Sequence, residues 1–382
     1  MNPGLGTLTV EGLGSVRGLT LDLTTGVTVL IGANGAGKSN LVSAFELVSR
    51  IWDDSFQDYL FQRGGVSNVL FEGPEGPATE MRIRLLADED AEGNRSGYDV
   101  RLKENPADAM GEVVLLERLL FQAPGYPKPY DESLGIWAVT SRARRIASGD
   151  AKGRRANFVA HVRPLLEGCR VFHFDDVSDN APVKGWSTVG DDVELRADAE
   201  NIAAYLYKVR EDYPRHYQRI VSAVRAVTPF FDDFVLEPGR NERIRLRWRQ
   251  TGLDRTFLAR EASDGTLRFI CLATLLLGPD RPATVVLDEP ELGLHPAAID
   301  MLVEMVRTAA ERGHKVILAT QSVPLVSHFS VEEIAVLERD DGATVVTRPD
   351  AERLSAFLDD YSTGNLWEMN LLGGRPVPET AA

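Results

Sequence analysis

The sequence predicts an α/β protein in which a mainly parallel sheet is covered by helices. The last third of the chain supports this most directly, because strand-like and helical segments alternate there in the order TVVLDEP, residues 296–312, VILATQS and IAVLE. Such alternation is typical of βαβ units. A second observation is the apolar run VTVLI, which precedes a glycine-rich turn and an amphipathic segment. Together the two patterns predict several parallel strands in one sheet.

The other elements follow from local periodicity. Residues 8–31 predict two or three short strands, and residues 38–63 predict one helix that ends at a Gly-Gly pair. Three runs separated by acidic, glycine-bearing turns predict antiparallel strands at residues 81–86, 98–103 and 113–121. Further along, the spacing of apolar residues predicts helices at residues 157–167 and 201–227, with a strand at residues 171–174 between them.

These elements suggest a discontinuous organisation. We predict a core formed by residues 1–123 and 263–382, in which residues 66–123 form an antiparallel β subdomain. Residues 124–262 are predicted to form a mainly helical insertion lobe.

The composition is that of a globular protein that needs no stabilising metal or disulfide. The chain has 382 residues, of which 43% are hydrophobic, enough for one large core or two ordinary ones. Cys169 and Cys271 are far apart and form no CxxC pair, which indicates a reducing compartment and disfavours a zinc site. The start of the sequence lacks a signal-peptide pattern, and the longest apolar stretch, residues 269–277, is too short to span a bilayer. We therefore expect a cytoplasmic protein without a membrane partner.

A phosphate-binding loop follows the VTVLI strand. GANGAGKSN matches GxxxxGK[ST], and its place between a strand and a helix is the context in which this motif binds nucleotides. Its glycines let successive backbone N–H groups point at one anion, at the positive end of the next helix. Lys38 then reaches the β and γ phosphates, and Ser39 supplies a hydroxyl ligand for Mg²⁺. The predicted nucleotide-binding residues are Gly32, Ala33, Asn34, Gly35, Ala36, Gly37, Lys38, Ser39 and Asn40.

Two adjacent acids follow a second buried strand. Asp288 and Glu289 stand at the carboxyl end of the TVVLD run, where ligands lie in open α/β sheets. Asp288 is suited to hold Mg²⁺ against Ser39, and Glu289 to accept a proton from the water that attacks the γ phosphate. The alternative is a polar strand-to-loop junction without chemistry. We predict Glu289 and Lys38 as catalytic residues.

Ser263, Asp264 and Gly265 precede the helical segment TLRFICLATLLL. Serine or aspartate followed by glycine is an N-cap signal, and an exposed helix N-terminus is also an anion site. The residues by themselves leave both roles open.

Four blocks of the sequence resemble the stand-alone predicted ATPases of the RecF/SMC-like AAA group. The blocks are the start with its phosphate loop, SDGTLRF, LDEPELGLHP and YSTGNLWEMNLLGGRP, so the resemblance spans nearly the whole chain. It implies a P-loop NTPase fold like that of ABC and SMC head domains, with a mixed sheet flanked by helices. It also implies ATP and Mg²⁺ as cofactors and an ATPase that converts ATP and water to ADP and phosphate.

The same resemblance implies a head-to-tail homodimer that forms when ATP binds. Each ATP would lie between the phosphate loop of one subunit and the signature residues of the other, Ser263, Asp264 and Gly265. Glu291 and His295 would bound the interface loop that follows the acid pair.

This sequence departs from the resemblance at one chemically important position. Gln321, after VILAT, stands where many cassette ATPases have a histidine that contacts the γ phosphate, and we assign it a catalytic role. Glutamine donates the same hydrogen bond but carries no charge, so we expect slow hydrolysis. The metal-sensing glutamine of such ATPases stays unassigned among Gln57, Gln62 and Gln122.

Nucleic-acid contacts would have to come from local basic patches, because the net charge is −15. One patch is the Gly/Ser-rich run at residues 142–155, interpreted as a mobile loop. The other is RIRLRWR, where alternation predicts that four arginines line one strand face: Arg243, Arg245, Arg247 and Arg249. The alternative is a solvated loop and a solvated strand face.

Histidines of the predicted insertion have no ligand spacing. His161, His173 and His216 are therefore interpreted as structural or surface residues. The run HFDD at residues 173–176 is interpreted as packing and turn chemistry.

Two functions fit the sequence. The first is an ATPase whose ATP-bound dimer engages DNA or a partner protein, in DNA repair or antiviral defence. The second is a slow ATP-gated scaffold that regulates an effector such as a nuclease or another toxin. A transporter motor is disfavoured, because the insertion between Pro124 and Ser263 and the SDGTLR block depart from that family.

Overall fold

The structure, a computed structural model, describes residues 4–23, 25–108, 111–126, 130–150 and 152–374. In chain order its strands are β1 (Leu5–Leu13), β2 (Val16–Asp22), β3 (Val27–Ile31), β4 (Glu72–Gly73), β5 (Gly76–Pro77), β6 (Met81–Ala87), β7 (Arg95–Glu104), β8 (Val113–Gln122), β9 (Tyr130–Ser133), β10 (Cys169–Phe172), β11 (Ser187–Thr188), β12 (Phe231–Phe234), β13 (Arg243–Ile244), β14 (Arg247–Gln250), β15 (Thr256–Leu258), β16 (Thr284–Asp288), β17 (Lys315–Ala319), β18 (Ile334–Asp340) and β19 (Ala343–Thr347). Its α-helices are α1 (Lys38–Trp52), α2 (Phe56–Gln62), α3 (Arg142–Arg145), α4 (Arg154–Glu167), α5 (Ile202–Asp212), α6 (Pro214–Val227), α7 (Asp264–Leu277), α8 (Pro296–Glu311), α9 (Val323–Val326), α10 (Ala351–Leu358) and α11 (Thr363–Glu368). Within the described ranges, no helix combines the length and the apolar composition needed to cross a membrane.

A six-stranded sheet forms the centre of the molecule, in the order β10-β16-β17-β3-β18-β19. The first five strands are parallel, and β19 is antiparallel to β18. β3 and β17 are buried along their whole length, as expected for parallel strands that are covered on both faces. The predicted α/β fold with a mixed sheet is confirmed.

The register of this sheet brings three strand ends together. Leu30 of β3 pairs with Ala319 of β17, and Ala319 also pairs with Asp288 of β16. Because parallel strands end in the same direction, the segments that follow β3, β17 and β16 emerge side by side at one edge. In open α/β sheets this edge is where ligands bind.

A second six-stranded sheet is antiparallel, in the order β2-β1-β6-β7-β8-β9. The strands predicted at residues 81–86, 98–103 and 113–121 are β6, β7 and β8, and they pair as neighbours. Helix α1 lies between this sheet and the central one. Phe45 of α1 belongs to one buried cluster with Ile83 of β6 and Ile317 of β17.

Helices α5 to α8 cover the opposite face of the central sheet. Because side chains alternate along a strand, Val285 and Leu287 of β16 point into this second cluster, whereas Val286 points towards α1. Leu272 of α7 and Leu302 of α8 are buried in the same cluster. The central sheet is therefore a middle layer with apolar packing on both faces.

Three local predictions were wrong. Residues 38–63 form two helices, α1 and α2, because Asp54 has a φ of 60° and cannot continue a helix. Residues 201–227 form α5 and α6, which separate at Pro214, since proline lacks an N–H donor and restricts the residue before it. Residues 142–155, interpreted as a loop, contain α3 and the start of α4.

The segment at residues 124–262 contributes strands to both large sheets. Strand β9 pairs with β8 at the edge of the antiparallel sheet, and β10 pairs with β16 at the edge of the central sheet. Other strands of this segment form two small sheets, β11-β13 and β12-β14-β15. The division into a core and a mainly helical lobe stays a prediction, and a boundary at residue 124 separates strands that share a sheet.

Candidate nucleotide-binding site

The phosphate loop connects β3 to α1 through glycines that no other residue could replace. Gly32 has a φ of 154° and Gly37 a φ of 105°. A Cβ at Gly32 would lie 2.3 Å from the Leu337 carbonyl oxygen, and a Cβ at Gly37 would lie 2.1 Å from Thr344 Oγ1. Both the backbone conformation and the lack of space therefore require glycine. Asn34, Gly35 and Ser39 are exposed on the outer side of the loop.

A chain of hydrogen bonds connects the phosphate loop to the β1–β2 turn and to β19. Asn40 Nδ2 donates to Ser15 Oγ at 2.7 Å, Ser15 Oγ lies 2.6 Å from Thr344 Oγ1, and Thr344 Oγ1 donates to the Ala36 carbonyl at 2.9 Å. The Asn40 side chain thus contacts the β1–β2 turn. Any phosphate contact by Asn40 would come from its backbone N–H.

Lys38 is buried and faces the loop that precedes it. Its ammonium donates to the carbonyl oxygens of Gly32 at 2.7 Å and Ala33 at 3.2 Å. Burial lowers the pKa of Lys38, and the carboxylates of Glu289 and Asp288 act in the opposite direction. The loop cation and the two acids are therefore close enough to interact.

The acid pair stands where β16 ends, as predicted. The Glu289 N–H donates to the Ala319 carbonyl at 2.7 Å, and Glu289 has a φ of 44°. A positive φ at a residue with a side chain is strained, and such strain is concentrated at functional sites. Burial raises the pKa of Asp288, and the neighbouring Glu289 raises it further.

Gln321 contacts the acid pair directly. It follows β17, the strand between β16 and β3. Its Nε2 donates to Glu289 Oε1 at 2.5 Å. An amide donor therefore holds one oxygen of the carboxylate that the sequence predicts as the proton acceptor.

Glu291 and Thr320 connect the same two loops. Thr320 Oγ1 donates to Glu291 Oε1 and accepts a hydrogen bond from the Ser322 N–H at 2.9 Å. Burial raises the pKa of Glu291, and its Oε2 has no hydrogen-bond partner among the described residues. His295 caps α8 by accepting from the Ala297 N–H at 3.3 Å. The interface roles of Glu291 and His295 stay predictions.

The end of β10 brings His173 and Asp175, interpreted from the sequence as structural or turn residues, near Asp288. His173 follows this strand and forms an ion pair with Glu46 of α1 at 3.6 Å. The pKa of His173 is raised by Glu46 first, and to a smaller extent by Asp175 and Asp288. The charge of Asp175 also raises the pKa of Asp288. A signal was present, because HFDD follows an apolar run just as Asp288 and Glu289 do.

Ser263 caps α7, and the start of that helix packs on the loop after the acid pair. The Thr266 N–H donates to Ser263 Oγ at 3.2 Å, which confirms the predicted N-cap. A Cβ at Gly265 would lie 2.2 Å from the Gly293 carbonyl oxygen. Ser263 and Asp264 are exposed, so the helix start is accessible from outside. The contact of this helix start with the ATP of a second subunit stays a prediction.

Arg268 holds the start of α7 to the end of β10 and to the loop after the acid pair. Its side chain is 5% exposed and donates to the carbonyl oxygens of Phe174 at 2.8 Å and Asp175 at 3.0 Å. It also donates to the Leu292 carbonyl oxygen. One guanidinium therefore connects α7, the end of β10 and the loop that follows β16.

The metal-sensing glutamine stays unassigned among the three candidates. Gln57 Nε2 donates to the carbonyl oxygens of Val113 at 2.7 Å and Val139 at 3.0 Å, and its Oε1 accepts from the Val113 N–H at 3.1 Å. Its amide therefore has a structural role. Gln62 ends α2 and Gln122 ends β8.

The four arginines do not share one continuous strand, although the predicted alternation is present, because Ile244, Leu246 and Trp248 are buried between them. The run from residue 243 to residue 249 changes sheet, since β13 pairs with β11 whereas β14 pairs with β12 and β15. The partners of a strand decide its register, and the sequence alternation did not reveal this change of partners.

The arginines of this run also differ in their contacts. Arg247 donates to the Glu237 carbonyl at 3.2 Å, and Arg249 pairs with Asp232 at 3.5 Å. Arg243 and Arg245 instead lie over the ring of Trp186, at 5.7 Å and 4.7 Å from its centroid. Trp186 is 47% exposed, Arg243 is exposed and Arg245 is half-buried.

Solved structures with a similar fold are SMC head domains. An Smc head bound to the C-winged helix domain of ScpA matches with a TM-score of 0.59 and 15% identity, over 93% of this chain and 100% of that chain. An Smc head with an extended coiled coil, bound to the C-terminal domain of ScpA derived from Pyrococcus furiosus, matches with a TM-score of 0.56 and 13% identity, over 94% and 99%. At these identities the likeness shows the fold alone.

Curated relatives match over short segments. A putative ABC transporter ATP-binding protein of Streptomyces avermitilis is 36% identical over 93 residues, which are 24% of this chain and 16% of that protein. Old nuclease of Escherichia phage P2 is 31% identical over 78 residues, which are 20% of this chain and 13% of that protein. The chain thus matches only a small part of either relative's length.

The family assignment rests on a longer match. Residues 27–327, which include the phosphate loop, the acid pair and Gln321, match the family model described as AAA domain, putative AbiEii toxin, Type IV TA system. The chain therefore belongs to this AAA-domain family of ATPases, and it has the fold of an SMC-like head.

Proposed function

We propose that this chain is an Mg²⁺-dependent ATPase whose active site lies where β3, β17 and β16 end. The observation that supports this most strongly is the contact of Gln321 with Glu289, across from a buried Lys38 that both acids attract. Phosphoryl transfer to water needs a cation for the phosphates and a group that orients the attacking water. These residues supply both at one edge of the sheet.

Each side chain has its own role in this proposal. Lys38 would exchange the loop carbonyls for the β and γ phosphates of ATP. Glu289 would accept a proton from the attacking water, and the Gln321 amide would keep the carboxylate oriented.

The residues present also fit Mg²⁺. Ser39 offers a hydroxyl and Asp288 a carboxylate, and Mg²⁺ is usually held by one or two protein oxygens together with substrate phosphates. Within the described ranges, no group of three or more His, Cys, Asp and Glu is arranged to hold a metal by itself. Bound there, Mg²⁺ would neutralise charge on the phosphates.

The proposal includes an ATP-dependent head-to-tail homodimer in the cytoplasm. Ser263 and Asp264 are exposed at the start of the 14-residue helix α7, and the N–H groups at a helix N-terminus attract phosphate. We propose that these residues, with Gly265, contact the ATP of the partner subunit. Glu291 and His295 would then bound the loop between the two heads.

Glu289→Gln tests the chemistry and the dimer together. The variant should bind ATP like the wild type but lose turnover by about 10²- to 10⁴-fold, because a proton acceptor has been removed. An amide oxygen can still accept from Gln321, so the geometry is retained. Phosphate release and light scattering are measured with Glu304→Gln on the exposed side of α8 as a control. Unchanged turnover would refute the role of Glu289, and a monomer at saturating ATP would refute the dimer.

An ATP-gated scaffold for an effector is the second candidate. Gln321 stands in place of a charged histidine, which favours slow turnover. The family description names a putative toxin, and one relative is a phage nuclease, so an effector nuclease or toxin is the partner we propose for this alternative. Capture with the Glu289→Gln protein, with and without ATP, identifies the retained protein or nucleic acid. If that variant with ATP regulates the effector as the wild type does, binding rather than hydrolysis carries the function.

A further inference from the structure

We propose that residues 362–374, which we name the clasp, position the phosphate loop relative to the Gln321 loop, so that clasp docking and ATP binding stabilise each other. This inference rests on the proposed ATPase function. The clasp includes α11 and the Gly-Gly pair that follows it.

One end of the clasp is hydrogen-bonded to the phosphate loop. The Ala33 N–H donates to the Gly374 carbonyl oxygen at 2.9 Å, and the Gly374 N–H donates to Glu338 Oε1 at 2.6 Å. Glu338 lies on β18, the neighbour of β3 in the central sheet. The beginning of the phosphate loop is therefore anchored through the clasp to a core strand.

This contact requires a glycine. Gly374 has a φ of 82°, and a Cβ there would lie 2.8 Å from Val336 Cγ1 and 3.5 Å from the Gly32 Cα. Trp367 packs beside it with 8% of its surface exposed, and its indole N–H has no partner among the described residues. The close approach of the two backbones, rather than a side chain, makes the connection.

The other end of the clasp lies against the helix that follows Gln321. Ser362 Oγ is 3.0 Å from Ser327 Oγ. A Cβ at Gly364 would lie 2.5 Å from the carbonyl oxygen of Val323, the first residue of α9. Ser322, which precedes α9, accepts the hydrogen bond that caps this helix. The clasp therefore touches the phosphate loop directly and reaches the Gln321 loop through α9, and it acts through these contacts.

Such a connection has a thermodynamic consequence. If the docked clasp favours the loop conformation that binds ATP, ATP must favour the docked clasp by the same factor. Loss of the clasp anchor should therefore weaken ATP binding, and ATP should in turn protect the clasp from amide exchange.

The first measurement compares Gly374→Ala with Gly342→Ala. Gly342 has a φ of 71° in the β18–β19 turn and open space around it, so it controls for strain at a positive φ. Gly374→Ala should weaken binding of a fluorescent ATP analogue by about fivefold to tenfold, which corresponds to one lost hydrogen bond. Gly342→Ala should bind like the wild type. Glu338→Ala removes the same anchor without backbone strain, and it decides the matter if Gly374→Ala does not fold.

The second measurement is hydrogen exchange in the wild type. ATP should slow amide exchange in peptides that cover residues 366–374. Equal ATP affinity of the anchor and control variants, with exchange in these peptides unchanged by ATP, would overturn the proposal. If the wild type itself fails to bind ATP, the proposed function fails instead, so the two failures are distinct.

Discussion

Two regions of the molecule differ in how their charged side chains are exposed and paired. At the edge of the central sheet, Lys38 is 6% exposed and Asp288 is the half-buried last residue of β16. On the small sheets, Arg249 is half exposed and paired with Asp232, and Arg245 covers the Trp186 ring. Charges withdrawn from water act strongly on a ligand, whereas exposed and paired charges contribute little. The sheet edge should therefore dominate nucleotide binding, and the arginines should produce smaller effects.

Lys38→Ala should have the largest effect. Loss of a buried cation that contacts phosphate should weaken ATP binding by about a hundredfold or more. Titration calorimetry measures the affinity, and Lys152→Ala, at an exposed lysine, is the control. Thermal melting without nucleotide separates a binding defect from unfolding, since Lys38 also donates to the loop carbonyls. An ATP affinity equal to that of the control would contradict the phosphate-loop assignment and remove the contrast between the two regions.

Arg268→Ala should have the next largest effect, on stability. The substitution leaves three carbonyl oxygens without their donor inside the molecule. We expect the free energy of unfolding to fall by about 3 kcal/mol, measured by urea denaturation. Arg260→Ala, at an exposed arginine, should change it by less than about 0.5 kcal/mol. Equal losses in the two variants would mean that Arg268 does not hold the β10 end to the acid loop.

The difference between the regions also explains what could be predicted from the sequence. The phosphate loop was predictable because glycine spacing and one lysine determine backbone geometry within eight residues. Asp288 and Glu289 were predictable because ligands lie at the carboxyl ends of strands in open α/β sheets, whereas Gln321 was assigned only through the resemblance to cassette ATPases. Contacts between distant segments left no such local pattern. The ion pair of His173 with Glu46 and the contact of Gly374 with Ala33 depend on which strands and loops become neighbours. The break in the strand predicted at residues 243–249 has the same cause, since the partner strands change within this run.

The ion pair of His173 with Glu46 should produce a small pH dependence of stability. The pKa of His173 is raised above 6.5 by Glu46, so its contribution is complete below about pH 6.5 and is lost as the pH rises through the folded-state value. Burial opposes ionisation of Glu46, but contacts with His173 and Arg50 lower its pKa from 4.5 to about 2. Its contribution is therefore present above about pH 4.5 and is lost as the pH falls towards 2. The pair stabilises most between these limits.

His173→Gln isolates this contribution. The unfolding free energy of the wild type, relative to the variant, should decrease between pH 6 and pH 8 by less than about 1 kcal/mol, because the imidazole is partly exposed. Urea denaturation at several pH values provides the comparison. A difference between the two proteins that stays constant over this range would show that Glu46 does not shift His173.

The smallest effect is expected for the arginines at residues 243–249, on DNA binding. This segment allows two matched double variants to be compared. Reversal of Arg243 and Arg245 to glutamate removes the two cations that lie over the Trp186 ring, and should reduce the salt dependence of DNA binding by about two ion equivalents. Reversal of Arg247 and Arg249 should change it less, because Glu237 and Asp232 already neutralise them. Fluorescence anisotropy with a short duplex at several salt concentrations measures both. Equal effects would show that bulk charge rather than the tryptophan-backed pair attracts DNA, and an absence of salt-dependent binding by the wild type would leave the effector protein as the partner.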